Sequence, residues 1–336
     1  MKKFTAIFLI SIFVFFTGLS IKAQQTRTRK ADTITPPNNY KPLNPTTSPE
    51  LQTLLNSAVS EIINQFSAKN LKVENVAATL IDLRDAKNPK IANVRGDKKI
   101  YPASVVKMFY MTALFQQIQD GKIKFTPELT RGLKDMIVDS SNEATQYILD
   151  VLTDTSSGGE MLPKEFEIWA YKRNAVNRYF ASMNFENINV NQKTFCEDAY
   201  GREQQFRNYK SENRNMLTTN ATARLLAEIA TGKAVNVENS SLMMNLLKRE
   251  PFAETTDKDD QAHGFTGIAL INKNLKGAKL WSKAGWTSKT RHDAAYIETP
   301  DGMKFVLVVF TENFANERDV IPAIAGKILD GLGKIK

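Results

Sequence analysis

The chain of 336 residues is 42% hydrophobic and 24% charged, which is typical of a globular protein with one large domain or two lobes. Its formal charge of +9 comes from scattered basic residues without a nucleic-acid-binding motif, so no nucleic-acid partner is expected. One cysteine, Cys196, excludes an internal disulfide. His263 and His292 stand far apart and lack zinc-ligand spacing, so we expect neither a metal nor another cofactor.

Residues 1–23 have the pattern of a cleaved secretory signal. Lys2 and Lys3 precede an apolar run, and Ala23 offers a small residue for cleavage. The run is shorter than the roughly 20 residues of a spanning helix, and no later segment of the sequence is long and apolar enough to span a bilayer. We therefore expect a periplasmic or secreted bacterial protein, whose mature form has a formal charge of +6 after loss of Lys2, Lys3 and Lys22.

Residues 24–48 are rich in Thr, Asn, Gln and Pro and predict a flexible linker. Beyond them, apolar residues at helical spacing predict a helix over 49–68. Alternation and turn residues then predict a hairpin of two strands, at 76–83 and 90–94.

The far end of the chain repeats this logic. Three strands are predicted at 279–283, 294–298 and 304–311, and Pro300-Asp301-Gly302 predicts the tight turn before the last of them. A final helix is expected over 318–332. Each end of the chain therefore contributes a helix and strands.

The middle of the chain is predicted to be helical, with helices at 104–118, from about 140, and at 175–183, 219–231 and 237–248. A helical insert between two parts of a sheet predicts two lobes, and clefts between lobes are preferred ligand sites. We expect one domain over 49–336, with a sheet lobe at 49–100 and 266–336 and a helical lobe at 101–265.

The first candidate motif is Ser104-Val105-Val106-Lys107, at the start of a predicted helix. Residues at i and i+3 share a helix face, so the amine of Lys107 would lie beside the hydroxyl of Ser104. A serine hydroxyl is a weak nucleophile that needs such a base. The alternative is a helix-capping serine with a solvated lysine.

Two further motifs follow in order. Ser140-Ser141-Asn142 begins another predicted helix, where Ser140 either forms a capping box with Glu143 or presents its hydroxyl as a proton shuttle. Lys283, Ala284 and Gly285 end a predicted strand. There Lys283 would give positive potential toward a substrate carboxylate, and the missing side chain of Gly285 would let a ligand backbone approach the strand edge closely. The alternative is a strand end with an exposed lysine.

These three motifs, in this order, resemble those of class A β-lactamases and penicillin-binding serine hydrolases. The resemblance covers roughly Pro49 to the C-terminus. It implies an α+β fold with a five-stranded antiparallel sheet flanked by helices, plus an all-helical lobe. It also implies acylation of Ser104 by a β-lactam or a D-alanyl peptide, with Asn142 holding Lys107 and the substrate. The oxyanion would bind the N–H groups of Ser104 and Thr287.

The sequence departs from the family pattern in two motifs. Ser141 replaces an aspartate, and Ala284 replaces a Thr or Ser whose hydroxyl would bind a substrate carboxylate. Thr287, Ser288 or Arg291 would then take over that contact, or the substrate lacks the carboxylate, or turnover is weak.

The residue that activates the hydrolytic water has two candidates in the long segment after the second motif. Glu197 is the first choice and Glu203 the second. The alternative is that both are acids on the protein surface without a catalytic role. We expect a monomeric β-lactamase that takes part in β-lactam catabolism and antibiotic resistance. The alternatives are a penicillin-binding D,D-peptidase or related envelope hydrolase, and a non-catalytic wall-binding module.

Overall fold

The computed structural model describes residues 33–195 and 198–335, and residues 34–335 within this range belong to one unit. One mixed sheet runs through this unit, with the strand order β1-β3-β2-β7-β6-β5-β4. The strands are β1 (Thr46–Thr47), β2 (Val76–Asp82), β3 (Lys90–Val94), β4 (Lys248–Arg249), β5 (Lys279–Trp286), β6 (Thr290–Glu298) and β7 (Lys304–Glu312).

The helices fall into two groups. The terminal parts of the chain contribute α1 (Pro49–Gln65), α10 (Gly267–Asn272) and α11 (Val320–Leu332). The middle contributes α2 (Lys107–Gln119), α3 (Pro127–Ile137), α4 (Asn142–Thr153), α5 (Pro163–Arg173), α6 (Ala175–Ser182), α7 (Gly201–Arg207), α8 (Thr219–Ala230) and α9 (Val237–Leu247). A 3-10 turn, Ala103–Val106, leads directly into α2.

The sheet separates two apolar cores, as the alternation of β7 shows. Phe305, Leu307 and Val309 pack with α1, α10 and α11 on one face. Val306 and Val308 pack on the other face with α2, α8 and the rest of the helical lobe. Because strand side chains alternate between faces, this one strand contributes side chains to both cores.

The predicted sheet is correct in its centre and wrong at its edges. The five strands β3-β2-β7-β6-β5 pair antiparallel as expected. Two short strands extend them to seven: β1 pairs parallel with β3, and β4 pairs antiparallel with β5. Two-residue strands give no periodicity in sequence, so the pattern could not show them.

The described part of the predicted linker is packed against the fold. Ile34 and Leu43 are buried in the core of the helical lobe. Tyr40 donates a hydrogen bond to the carboxylate of Glu228 on α8, and the N–H of Leu43 donates to the same carboxylate. The prediction of a flexible linker is therefore wrong from residue 34 onward. Residues 1–32, with the predicted signal at 1–23, lie outside the described residues.

Candidate active site

Ser104 lies where the 3-10 turn runs into α2, and it is partly exposed. The N–H of Lys107 donates to the carbonyl of Ser104, which places the two residues one helical turn apart as predicted. Ala103 immediately before them has φ 46°, a left-handed conformation that is strained for a residue with a Cβ. The serine thus stands on a tight turn at the start of a buried helix.

The side chain of Lys107 is fully buried and points at the second motif. Its Nζ donates to the carbonyl of Ser140 at 2.5 Å and to Asn142 Oδ1 at 2.9 Å. Ser140 Oγ lies 3.3 Å from the same nitrogen. The alternative of a solvated lysine is excluded by this burial.

Lys283 approaches the same hydroxyl from the sheet. Its buried Nζ donates to Ser140 Oγ at 2.9 Å, to Gln261 Oε1 at 2.7 Å and to the carbonyl of Ala284 at 2.9 Å. Burial, and then the charges of Lys107 and Arg249, hold the pKa of Lys283 well below its usual value. Two amines therefore converge on one serine hydroxyl, and the exposed strand-end lysine is excluded.

The helix cap and the hydroxyl that faces the two lysines belong to two different serines. Ser141 Oγ accepts the N–H of Ala144 at 3.0 Å and so caps α4, whereas the capping box was predicted for Ser140. Ser140 has φ 58°, which turns the chain just before the cap. Its hydroxyl is left to face the two lysines.

A glycine is required at position 285 because the backbone of the 3-10 turn, rather than a ligand, lies close to it. A Cβ on Gly285 would lie 2.7 Å from the nitrogen of Ser104 and 2.9 Å from the carbonyl oxygen of Pro102. The strand and the 3-10 turn are thus in direct contact. Lys283 and Gly285 share the face of β5 that looks toward the helical lobe.

The structure revises the predicted second oxyanion donor. The N–H of Thr287 donates to the carbonyl of Thr290 and closes the turn between β5 and β6. Because hydrogen-bonding pairs alternate along an antiparallel ladder, the N–H of Trp286 points away from β6, as does that of Ala284. Trp286 therefore offers the open N–H beside the start of α2.

The two candidate acids have different outcomes. Glu197 lies outside the described residues. Glu203 is buried in an ionic cluster, where it accepts from both terminal nitrogens of Arg173 at 2.8 and 3.0 Å and lies 3.5 Å from Lys193. Asp150 on α4 completes the cluster. Asp150 lies two turns, roughly 12 Å, along the helix from Asn142, so the cluster that engages Glu203 extends away from the second motif.

The comparisons agree with this geometry. The sequence model of the beta-lactamase enzyme family matches residues 55–332, which is most of the chain. The chain belongs to this family. It is accordingly a serine hydrolase of the β-lactamase type, and the enzyme class expected from the motifs is confirmed.

Solved structures show the same fold at low identity. A β-lactamase from Sphaerobacter thermophilus DSM 20745 is 19% identical with a TM-score of 0.60, covering 84% of this chain and 98% of its own. A structure of PBP-A is 17% identical, TM-score 0.58, covering 88% and 100%. A β-lactamase from Chitinophaga pinensis DSM 2588 is 16% identical, TM-score 0.56, covering 82% and 99%. No curated protein matches the chain significantly.

Two residues that sequence reasoning missed tie the lobes of the enzyme together. The buried Gln261 donates to the carbonyls of Ile137 and Val138, just before the second motif, and accepts from the N–H of Ala284 on β5. Arg249 donates to Ile137 O at 3.0 Å and to the carbonyl of Ser282, also on β5, at 2.9 Å. Gln261 and Arg249 lie far from the motifs in sequence, so no local pattern indicates that they contact them.

His292 is a third missed residue, and it contacts the segment that leads into the turn of Ser104. Its Nε2 donates to the carbonyl of Tyr101 at 2.9 Å, while its Nδ1 accepts the N–H of Thr311 at 3.1 Å. These contacts require a neutral ring, and burial lowers the pKa of His292 to about 4. Histidine therefore positions the 3-10 turn without touching the reacting groups.

This buried histidine predicts an acid-sensitive fold. An unfolded histidine, with a pKa near 6.5, binds a proton that the folded site excludes, so stability falls as the pH drops from about 6.5 toward 4. We expect His292 alone to cost about 2 kcal/mol of unfolding free energy between pH 7 and 5. Urea denaturation at both pH values should show that this loss is absent in His292→Gln. Equal pH dependence in both proteins would contradict the assignment.

No helix among residues 33–195 and 198–335 has the length and apolar character needed to cross a bilayer. In the same part of the chain, no cluster of His, Cys, Asp and Glu side chains is arranged to bind a metal ion.

Proposed function

We propose that the protein is an exported serine hydrolase that is acylated at Ser104 and hydrolyses β-lactam amide bonds. The observation that supports this most is the convergence of Lys107 and Lys283 on Ser140 Oγ, beside the start of α2. A capping or surface role does not require two buried amines around one hydroxyl. Periplasmic or secreted localisation follows from the N-terminal signal pattern and is part of the proposal.

The acylation step uses residues of the first two motifs, together with Trp286, which follows the third. The amine of Lys107 takes the proton of Ser104 as the serine oxygen attacks the lactam carbonyl carbon. The N–H groups of Ser104 and Trp286 bind the developing oxyanion. When the C–N bond breaks, Ser140 donates its proton to the leaving nitrogen and regains one from Lys107. The remaining product is an ester on Ser104.

Hydrolysis of that ester needs a base that activates water. Glu203 is held by Arg173 in the buried ionic cluster, so we assign this role to Glu197. Asn142 supports acylation through its hydrogen bond with Lys107.

Glu197→Gln is therefore expected to trap the acyl-enzyme. Acylation should proceed at a similar rate, whereas deacylation should fall by about 10²- to 10⁴-fold, the usual contribution of a general base. Turnover of a chromogenic cephalosporin, with intact mass spectrometry of the quenched enzyme, measures both steps. Glu203→Gln is the matched control, expected to lower stability without accumulating adduct. Unchanged turnover in Glu197→Gln would contradict the assignment.

A penicillin-binding D,D-peptidase is the second candidate, and the sequestration of Glu203 favours it. Because Glu203 is engaged in the ionic cluster, Glu197 is the one candidate base left for deacylation. A single stoichiometric burst followed by a stable adduct on the wild-type protein would support this candidate. Continued hydrolysis over many turnovers would support the β-lactamase.

A further inference from the structure

The donors along the β5 edge bear on which substrates the site accepts. Lys283 Nζ has three N–H bonds when it is protonated and two when it is neutral. Three acceptors within the protein lie within hydrogen-bond distance of it: Ser140 Oγ, Gln261 Oε1 and the carbonyl of Ala284. No donor of Lys283 is left for an anionic group of a substrate.

Ala284 adds no donor to this edge. Its methyl group lies on the face opposite to Lys283, buried in the core with Phe265 and Leu280. Its N–H is taken by Gln261 Oε1 at 3.1 Å. Gln261 is itself saturated, because its two N–H bonds go to the carbonyls before the second motif.

Two of the three neighbouring side chains that could replace the missing hydroxyl, Thr287 and Arg291, are also engaged, whereas Ser288 is exposed at the tip of the hairpin. Thr287 Oγ1 accepts the N–H groups of Lys289 and Thr290 at 3.1 Å each and shares a further hydrogen bond with Thr290 Oγ1. Arg291 is 97% buried, and its Nη2 donates to Asp259 Oδ1 at 3.1 Å and to the carbonyl of Gly264 at 2.6 Å. Thr287 is thus held within the hairpin, and Nη2 of Arg291 is held by the loop beneath it, while Nε of Arg291 is buried without a hydrogen-bond partner.

We propose that this enzyme takes acyl substrates without a carboxylate beside the scissile bond on the leaving-group side, or takes them without regard to one. Gln261 is the residue that determines this specificity, since its carboxamide oxygen occupies the donors that an anion would use. An anion brought to this edge would lose water without gaining hydrogen bonds, which is unfavourable. The inference rests on the proposed acylation of Ser104.

The test compares benzylpenicillin with its primary amide, a neutral near-isostere of the acid. We expect second-order acylation rate constants within about threefold of each other in the wild-type protein. One charge-assisted hydrogen bond to the carboxylate would favour the acid by about tenfold or more, and such a preference would overturn the inference while leaving the function intact. The absence of both an adduct and turnover with each of the two compounds would overturn the proposed function itself.

Variants test the role of Gln261 separately. Gln261→Ala frees donors on Lys283 and Ala284, so the acid-to-amide ratio should rise at least threefold. The ratio cancels any general loss of activity. An unchanged ratio in a variant that still unfolds cooperatively would contradict the role of Gln261. Lys289→Gln, at the exposed tip of the hairpin, is the control and should leave the ratio unchanged; a lower ratio would show that an anion is recognised at the tip.

Discussion

Ser104→Ala should abolish β-lactam hydrolysis and covalent labelling together. Removal of the nucleophile of a serine hydrolase lowers kcat by roughly 10⁶-fold, because the other groups of the site have nothing to activate. The side chain is only partly buried, and the hydrogen bond from Lys107 to this residue uses its backbone carbonyl. We therefore expect the thermal unfolding transition to stay close to that of the wild type.

The measurement is a steady-state assay with a chromogenic cephalosporin, combined with thermal denaturation of the same samples. Ser67→Ala is a suitable control, since Ser67 lies beyond the end of α1 and its hydroxyl donates to the carbonyl of Asn64. Wild-type turnover by Ser104→Ala would show that the nucleophile is elsewhere.

Ser140→Ala and Ser141→Ala should separate catalysis from capping at two adjacent positions. Ser140→Ala removes the hydroxyl between Lys107 and Lys283 and should lower the acylation rate by about 10²- to 10⁴-fold. Ser141→Ala removes the cap of α4 and should cost about 1 kcal/mol of stability, with acylation within a few-fold of wild type.

Pre-steady-state acylation rates and urea denaturation curves of both variants give the two readouts. The reverse pattern, with slow acylation in Ser141→Ala and normal acylation in Ser140→Ala, would exchange the two roles. Equal effects of both substitutions on rate would indicate that only the local geometry of the turn matters.

The sequence could predict the centre of the fold because those elements carry strong periodicity. The strand at Lys90–Val94 was placed with the observed bounds, and α1, α8 and α9 end within three residues of their predicted limits. The sequence predicts that β5 ends at Lys283, because the following Ala and Gly have low strand propensity. The strand continues to Trp286, since pairing with β6 overrides that propensity.

The helices α3, α5, α7 and α10 were not predicted. α7 and α10 are too short to give a clear periodic signal. The packed segment from Ile34 to Thr47 was missed because its composition suggests a linker, whereas two buried apolar side chains and the hydrogen bonds to Glu228 hold it.

The site could be predicted where its chemistry lies within one helical turn, and not where it depends on contacts between distant segments. Ser104 and Lys107 follow from an i, i+3 spacing. Gln261 meets Ala284 across a loop and reaches Ile137 from more than a hundred residues away, so only the fold brings them together. Sequence alone likewise does not show that Ser140 is left-handed and that Ser141, rather than Ser140, caps α4.

Peptide mapping of the acylated wild-type protein tests the central claim, that Ser104 is the nucleophile activated by Lys107. The protein is incubated with benzylpenicillin, quenched in acid, digested and analysed by mass spectrometry. We predict a single labelled peptide, the one that contains Ser104, with a transient adduct in the wild type and up to one adduct per chain in Glu197→Gln treated in the same way. An adduct on another residue, or none in either protein at any time point, would contradict the account.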